Sequence, residues 1–307
     1  MGSYVRQRLL VLTPTVLGVA TLVFILMHMM PGDPVEVMLG ETASPADSAA
    51  LRARLGLDRP LATQYAAFIG GLLRLDLGTS IHSDQPVAVL VASHFPATAL
   101  LTAAALAVAL LVAFPAGLLA ASHPRRMADR VTLTASLAGV AIPNFWLGPM
   151  LIMVFAIQLR WLPVSGTGGA ANLVLPAITL GLGMAGILTR LIRSTVIETL
   201  HEDYVRTARA KGASPARVLW LHALRNALMP VLSMIGLQLG GLLAGSVITE
   251  TIFAWPGIGR LTVQAIQTRD YPVVQGCVLT IAVGYVLVNL ATDLAYAWAN
   301  PRMRRAG

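Results

Sequence analysis

An all-α protein that crosses a membrane several times is the fold class this sequence predicts, and three observations carry the prediction. Hydrophobic residues make up 56% and charged residues 12% of the 307 positions, with a mean hydropathy of +0.72; one soluble core could not hide that much apolar surface. Six charge-poor runs, near 9–30, 97–121, 133–157, 173–190, 228–249 and 273–297, approach the roughly 20 helical residues that cross about 30 Å of hydrocarbon. The segments between them alternate in basic content, as loops on opposite sides of a bilayer do.

The first run follows Arg6 and Arg8, like the start of a signal peptide. It is too long for such a segment, and no small-residue cleavage site follows His28-Met-Met-Pro31, so it is expected to be a retained first helix. With the N-terminus inside, the inner segments hold Arg6, Arg8, Arg125, Arg126, Arg130, Arg190, Arg193, Arg206, Arg209, Lys211, Arg217, Arg225, Arg302, Arg304 and Arg305. The outer ones hold only Arg52, Arg54, Arg59, Arg74, Arg160, Arg260 and Arg269, a division of fifteen against seven that puts both termini in the cytoplasm. The net charge of +8 therefore follows topology and gives no support to nucleic-acid binding.

Residues 31–95 form the one sizeable segment outside the spans, separating the first helix (1–30) from a five-helix core (96–307). Ser44-Pro45 can start a short helix as N-cap and first residue, Gly56 can end it, and Gln64 to Leu75 has near-helical apolar spacing suited to the membrane surface. The turn at 158–172 carries Trp161, which fits an interfacial belt, and Trp255-Pro256-Gly257 makes a sharp turn within 250–272. Several spans contain residues that loosen a helix: Pro115, Pro143 beside Asn144, Pro176 with Gly181, Gly183 and Gly186, and Gly236, Gly240, Gly241 and Gly245. Proline removes a backbone donor and small residues let helices approach closely, so packing and hinge motion both stand as readings. Cys277, the single cysteine, falls inside the sixth run and is read as a packing residue.

Between the fourth and fifth runs stands a charged island, 198–226. Glu198, Glu202 and Asp203 precede Arg206, Arg209 and Lys211, the order a helix dipole favours. Gly212 can end that helix, and Ser214-Pro215 starts another at once. Ala208, Ala210, Gly212 and Ala213 leave the corner nearly bare. A small-residue corner flanked by arginines suits docking in a partner's groove, because backbone approaches closely while charge sets register; a solvated positive-inside loop is the plainer alternative.

Asp203-Tyr-Val-Arg-Thr-Ala-Arg-Ala-Lys-Gly212 and His222-Ala-Leu-Arg-Asn-Ala-Leu-Met-Pro230 resemble the coupling loop of permease subunits in ABC importers of the dipeptide, oligopeptide and nickel group. Pro31-Gly-Asp-Pro34, Leu55-Gly-Leu-Asp-Arg-Pro60, Asp76-Leu-Gly78, Ile142-Pro-Asn-Phe-Trp146, Leu162-Pro163, Glu250-Thr-Ile-Phe-Ala-Trp-Pro-Gly257, Arg269-Asp-Tyr-Pro272 and Asn300-Pro-Arg302 are similar to that family's segments in the same order. One departure concerns the general permease signature: aligned on Gly212, Arg206-Thr207-Ala208 stands where Glu-Ala-Ala is usual, and Pro230 comes five residues late. It affects only the role of the generic glutamate.

The resemblance implies a type I ABC importer permease fold of six transmembrane helices in a bacterial-type inner membrane, with a cytoplasmic coupling helix. It implies that Asp203, Tyr204, Arg206, Thr207, Ala208, Arg209, Ala210, Lys211, Gly212 and Ala213 meet the ATPases. The implied partners are two cytoplasmic ATPase subunits holding ATP and Mg, a second homologous permease, and an extracytoplasmic solute-binding protein. Small peptides are the expected cargo, with nickel or another small solute as the alternative.

The residues themselves agree by what is missing. Lys211, the sole lysine, stands in no nucleotide-binding loop, so no cofactor is expected on this chain. Catalysis lacks a constellation: there is no H-E-x-x-H motif, Ser246 stands in Ala-Gly-Ser-Val, and Asp293 has no acidic partner in another span. A secondary transporter would need charges deep in its spans, which are almost free of them; a passive channel is the remaining alternative class. Asn144, Gln238, Glu250 and Asn289 are candidates for the translocation path or gate, although buried amides more commonly bond helix to helix. No metal ligand is assigned, since His28 has no other histidine at ligand spacing. Asp203 and Arg225 are candidates for partners across the corner.

Overall fold

Residues 2–29, 35, 44–166 and 168–299 are described by the computed structural model of the chain. Pro31–Pro34 and Asn300–Arg302 lie outside these residues, as do the side chains of Arg6, Arg8 and Asp293. Among the described residues the fold is all helical, with no strand. In order the helices are α1 (Gly2–Met29), α2 (Pro45–Leu55), α3 (Leu61–Leu73), α4 (Val87–Ser122), α5 (Met127–Ala141), α6 (Asn144–Leu151, running on as a π-helical turn, Ile152–Gln158) and α7 (Ala170–Leu200). They continue with α8 (Asp203–Ala210), α9 (Pro215–Arg217, then π-helical Val218–Ala223, then Leu224–Ile252), α10 (Ile258–Gln267) and α11 (Tyr271–Ala299).

Four stretches are long and apolar enough to cross a bilayer: α4, α7, Pro215–Leu243 of α9 and Tyr271–Thr292 of α11. The run 133–157, expected as one span, is instead the pair α5 and α6, bent by 102°. The cause is local. Pro143 disfavours a helical Ile142, which adopts ψ 118, and proline cannot donate to the preceding turn. Hydropathy registers that both halves are apolar and nothing about their direction. Counting the pair once gives five spans; the apolar part of α1, Thr13–Met29, is shorter than the other spans. Pro115, Pro176 and Pro230 stay inside unbroken helices.

The described chain divides into two compact units. One comprises Ala99–Trp255 with α11 from Tyr285 onward. Its centre is α7, whose Leu188, Ile192 and Val196 are fully buried. A Cβ on Gly181 would come within 2.5 Å of the Ala105 carbonyl of α4, and one on Gly186 would strike the Ser136 carbonyl of α5. On α9, Gly236 faces the Thr292 side chain and Gly240 the Tyr285 ring as closely. At these positions the small residues serve backbone approach, the packing that apolar helices in lipid rely on. Asp129 of α5 joins α7 through a two-pronged pair with Arg193, Nε to Oδ1 at 2.5 Å and Nη2 to Oδ2 at 2.8 Å, and Asp129 also accepts from the Arg125 amide.

The other unit comprises Gly2–Thr98 and Pro256–Gly284. Val87, Val91, Ile258, Val273, Val274 and Cys277 form its core, with Cys277 fully buried. As expected, Ser44 caps α2 by accepting from the Asp47 amide, and Gly56 ends that helix at φ +68. The apolar stretch near Gln64 is α3. It lies against α1 through Phe68, which stacks on Phe24, through Tyr65, which meets that ring edge-on, and through Gln64, which bonds His28.

Candidate functional site

The charged island folds as two helices around a tight corner, each end built by its own residues. Helix α8 closes in a two-bond turn: the Gly212 amide donates to Arg209 O at 2.9 Å and the Ala213 amide to Ala208 O at 3.1 Å. This pattern needs a left-handed residue at the first position past the cap, and Gly212 supplies it at φ +83. Ser214 then accepts from the Arg217 amide with Pro215 at the first helical position. Both ends thus match the residue types that predicted them.

What holds the two helices together came less directly from the sequence. Val205 is fully buried beneath α8. Tyr204 Oη donates to the His222 carbonyl at 3.2 Å and accepts from Asn226 Nδ2 at 2.6 Å, while Asn226 also donates to that carbonyl. Tyr204 therefore straps α8 to α9 at the π-helical turn. Asp203 pairs with Arg206 on its own helix, at 3.3 Å with both side chains exposed, so the strap is made without the Asp203–Arg225 partnership that the sequence suggested. Asn226 and the π-helical turn carried no advance signal, because hydrogen-bond partners 22 residues apart leave no local pattern.

Arg206, Thr207, Arg209, Ala210, Lys211 and Gly212 are exposed, and Ala208 and Ala213 half-buried. A Cβ on Gly212 would meet no atom of the chain within 4 Å. The glycine is thus required by its backbone angle and leaves open space above it, rather than avoiding a clash inside the turn. Beside the corner lies a cleft of about 730 Å³ lined by Ser122, Ile197, Leu200, Arg206, Arg209 and Leu219, among others. A smaller one, about 460 Å³, is lined by Thr199, Glu202, Tyr204 and Asn226. The arrangement offers a bare, cationic surface on a stiff hairpin.

The four path candidates do not gather here. Asn144 begins α6 just after the bend, Gln238 lies in α9 and Asn289 in α11, all half-buried. Glu250, fully buried, lies in the last turn of α9, where its carbonyl accepts from the Trp255 amide at 2.8 Å. Neither cleft includes any of the four. Ser246, equally buried, donates to Leu243 O within its helix.

Comparison with known proteins is consistent along the full length. Residues 113–305 match the family described as binding-protein-dependent transport system inner membrane component, and residues 1–102 its N-terminal companion. The chain is 45% identical, over 99% of both sequences, to the di/tripeptide transport system permease protein DppB of Pseudomonas aeruginosa (strain UCBPP-PA14). It is 43% identical, again over 99% of both, to the glutathione transport system permease protein GsiC of Salmonella choleraesuis (strain SC-B67). In structure it is similar to a chain of the inward-facing MetNI methionine ABC transporter (TM-score 0.56, 18% identity, covering 69% of this chain and 97% of that one). It is also similar to a chain of an amino acid ABC transporter crystallised with histidines (TM-score 0.52, 16% identity, 70% and 94%). A multi-pass helical fold, a charged hairpin between two of its longest helices and full-length identity above 40% lead to one conclusion: this chain belongs to the family of inner-membrane permease components of binding-protein-dependent transport systems.

Proposed function

We propose that the chain is a permease subunit of an ATP-driven importer of small peptides, driven through the corner at Asp203–Ala213. The observation that carries this reading is full-length identity to permeases named for di/tripeptide and glutathione transport, joined to a hairpin whose tip, Arg209–Gly212, exposes two cations and a bare glycine. Glutathione is itself a tripeptide, so both names describe one class of cargo. Two cytoplasmic ATPases bind ATP and Mg and press on α8; α7 and α9, which leave the corner at either side, turn that push into tilt. A second permease completes the path, and a solute-binding protein delivers the peptide from outside. In this reading α1 is the first of six spans, the termini are cytoplasmic, and this subunit catalyses nothing. The stiffness of the hairpin supports it: force passes through the Tyr204 strap and the buried Val205 without first having to order a loop.

The test is uptake of a labelled dipeptide into proteoliposomes containing this chain, the second permease and the ATPases, with binding protein outside. ATP-dependent uptake that vanishes when the ATPases are omitted is the expected result. Uptake by this chain alone, without ATP, would make it a passive channel and end the proposal.

A further inference from the structure

The connection between α3 and α4 is exposed, yet it is ordered by a side chain far away in sequence. Asp270, 4% exposed, accepts from Ser80 Oγ, from the amides of Ile81 and His82, and from the Val273 amide of α11. One carboxylate thus caps α11 and holds three donors of a loop about 190 residues away. Within the loop, Ser80 N donates to Gln85 O at 2.8 Å, Asp84 N to Ser80 O at 3.1 Å, and Val87 N to Gly78 O at 3.0 Å. Gly78 at φ +82 faces Pro272, and Asp84 is held in the left-handed region at φ +54. The segments Asp76-Leu-Gly78 and Arg269-Asp-Tyr-Pro272, separate in sequence, form one assembly inside the second unit.

A simple connector needs none of this order. Ser80 is buried while Thr79 and His82 to Pro86 are exposed, and none of these exposed residues is a large hydrophobe. The loop therefore presents a polar, rigid surface to water rather than to hydrocarbon. It lies between the first and second spans and Asp270 between the fifth and sixth, both segments that the basic-residue pattern assigns to the outside.

We propose that Asp270 is a positioning residue that keeps the loop Thr79–Pro86 preformed as a docking platform for the extracytoplasmic solute-binding protein. This rests on the importer reading above. A platform ordered in advance loses less freedom when a partner lands on it, and a buried carboxylate bonded to several donors holds backbone more firmly than neutral bonds do.

The experiment titrates peptide-loaded solute-binding protein onto the complete transporter in lipid nanodiscs and follows ATP hydrolysis. In Asp270→Asn, which keeps the size but turns one acceptor into a donor, the half-saturating concentration of binding protein is expected to rise about tenfold. In Ser80→Ala, which removes one donor, it is expected to rise about threefold. Basal hydrolysis and the maximal stimulated rate stay unchanged in both. An unchanged half-saturating concentration overturns the proposal, as does loss of maximal rate without a shift in half-saturation, which marks a merely structural residue. Should Asp270→Asn fail to assemble, Ser80→Ala decides by the same criterion. Basal hydrolysis that depends on this permease reads the importer function separately, so failure of that function is distinct from failure of the platform.

Discussion

Two exposed turns of this protein, the corner at Ala208–Ala213 and the loop at Thr79–Pro86, are rigid for opposite reasons. The corner is held by neighbours: its closing bonds span three and five residues, and its caps are the adjacent Gly212 and Ser214. The loop is held by a stranger, a buried carboxylate about 190 residues on. A turn built from local caps can be recognised by residue type and tolerates a bare surface. A turn clamped from afar depends on a buried side chain that accepts several bonds at once, which offsets part of the entropy lost by ordering an exposed backbone.

Breaking the distant clamp should have the larger effect on local order. Asp270→Ala leaves the Ser80 hydroxyl and the Ile81, His82 and Val273 amides without their acceptor, at a cost of about 2–3 kcal/mol. Hydrogen exchange at Ile81 and His82 should accelerate while the corner's amides at Gly212 and Ala213 keep their protection; acceleration at both places would erase the distinction between the two turns.

Gly212→Leu comes next. A side chain at φ +83 costs about 1–2 kcal/mol and fills the open face, so uptake should be lost although the chain still inserts. Uptake at the wild-type level, with normal recovery of the ATPases in a pull-down, would leave the corner without its assigned role. Removing the hydroxyl of the strap in Tyr204→Phe should cost about 1 kcal/mol, read as a lower unfolding temperature in detergent; an unchanged temperature means the strap contributes nothing to the stiffness of the corner.

Reversing both Arg206 and Arg209 to Glu should change stability least, within about 0.5 kcal/mol for exposed positions, and act on association instead. Binding of the ATPases should weaken most at low salt, where surface charge is least screened. Equal binding by wild type and variant in low salt removes these arginines from the interface.

How much was legible follows the same division. Ser44, Gly56, Gly212 and Ser214 marked helix ends correctly, because caps act within a few residues. The near-helical apolar spacing at Gln64 predicts a helix, and α3 is one. The bend at Pro143 is only half visible in the sequence: the proline marks a loosened helix, yet the run 133–157 reads as one span, since nothing in hydropathy distinguishes a kink from a 102° turn. At Gly181 and Gly186 spacing leaves both packing and motion as readings, and only the fold sets the Ala105 and Ser136 carbonyls against them. The segment Arg269-Asp-Tyr-Pro272 was recognisable only as a family resemblance. Its physical work appears when Ser80 is brought to it.

Local chemistry, by itself, determined the class of protein, the apolar runs and the capped corner: hydrophobic content, charge placement and cap residues act over a turn or two of chain and leave their mark in composition and spacing. Tertiary structure alone decided that Tyr204 reaches Asn226, and that one carboxylate serves both a helix and a distant loop. Those outcomes depend on which surfaces meet after the chain has folded, and a contact between residues far apart in sequence imposes no periodicity on either of them.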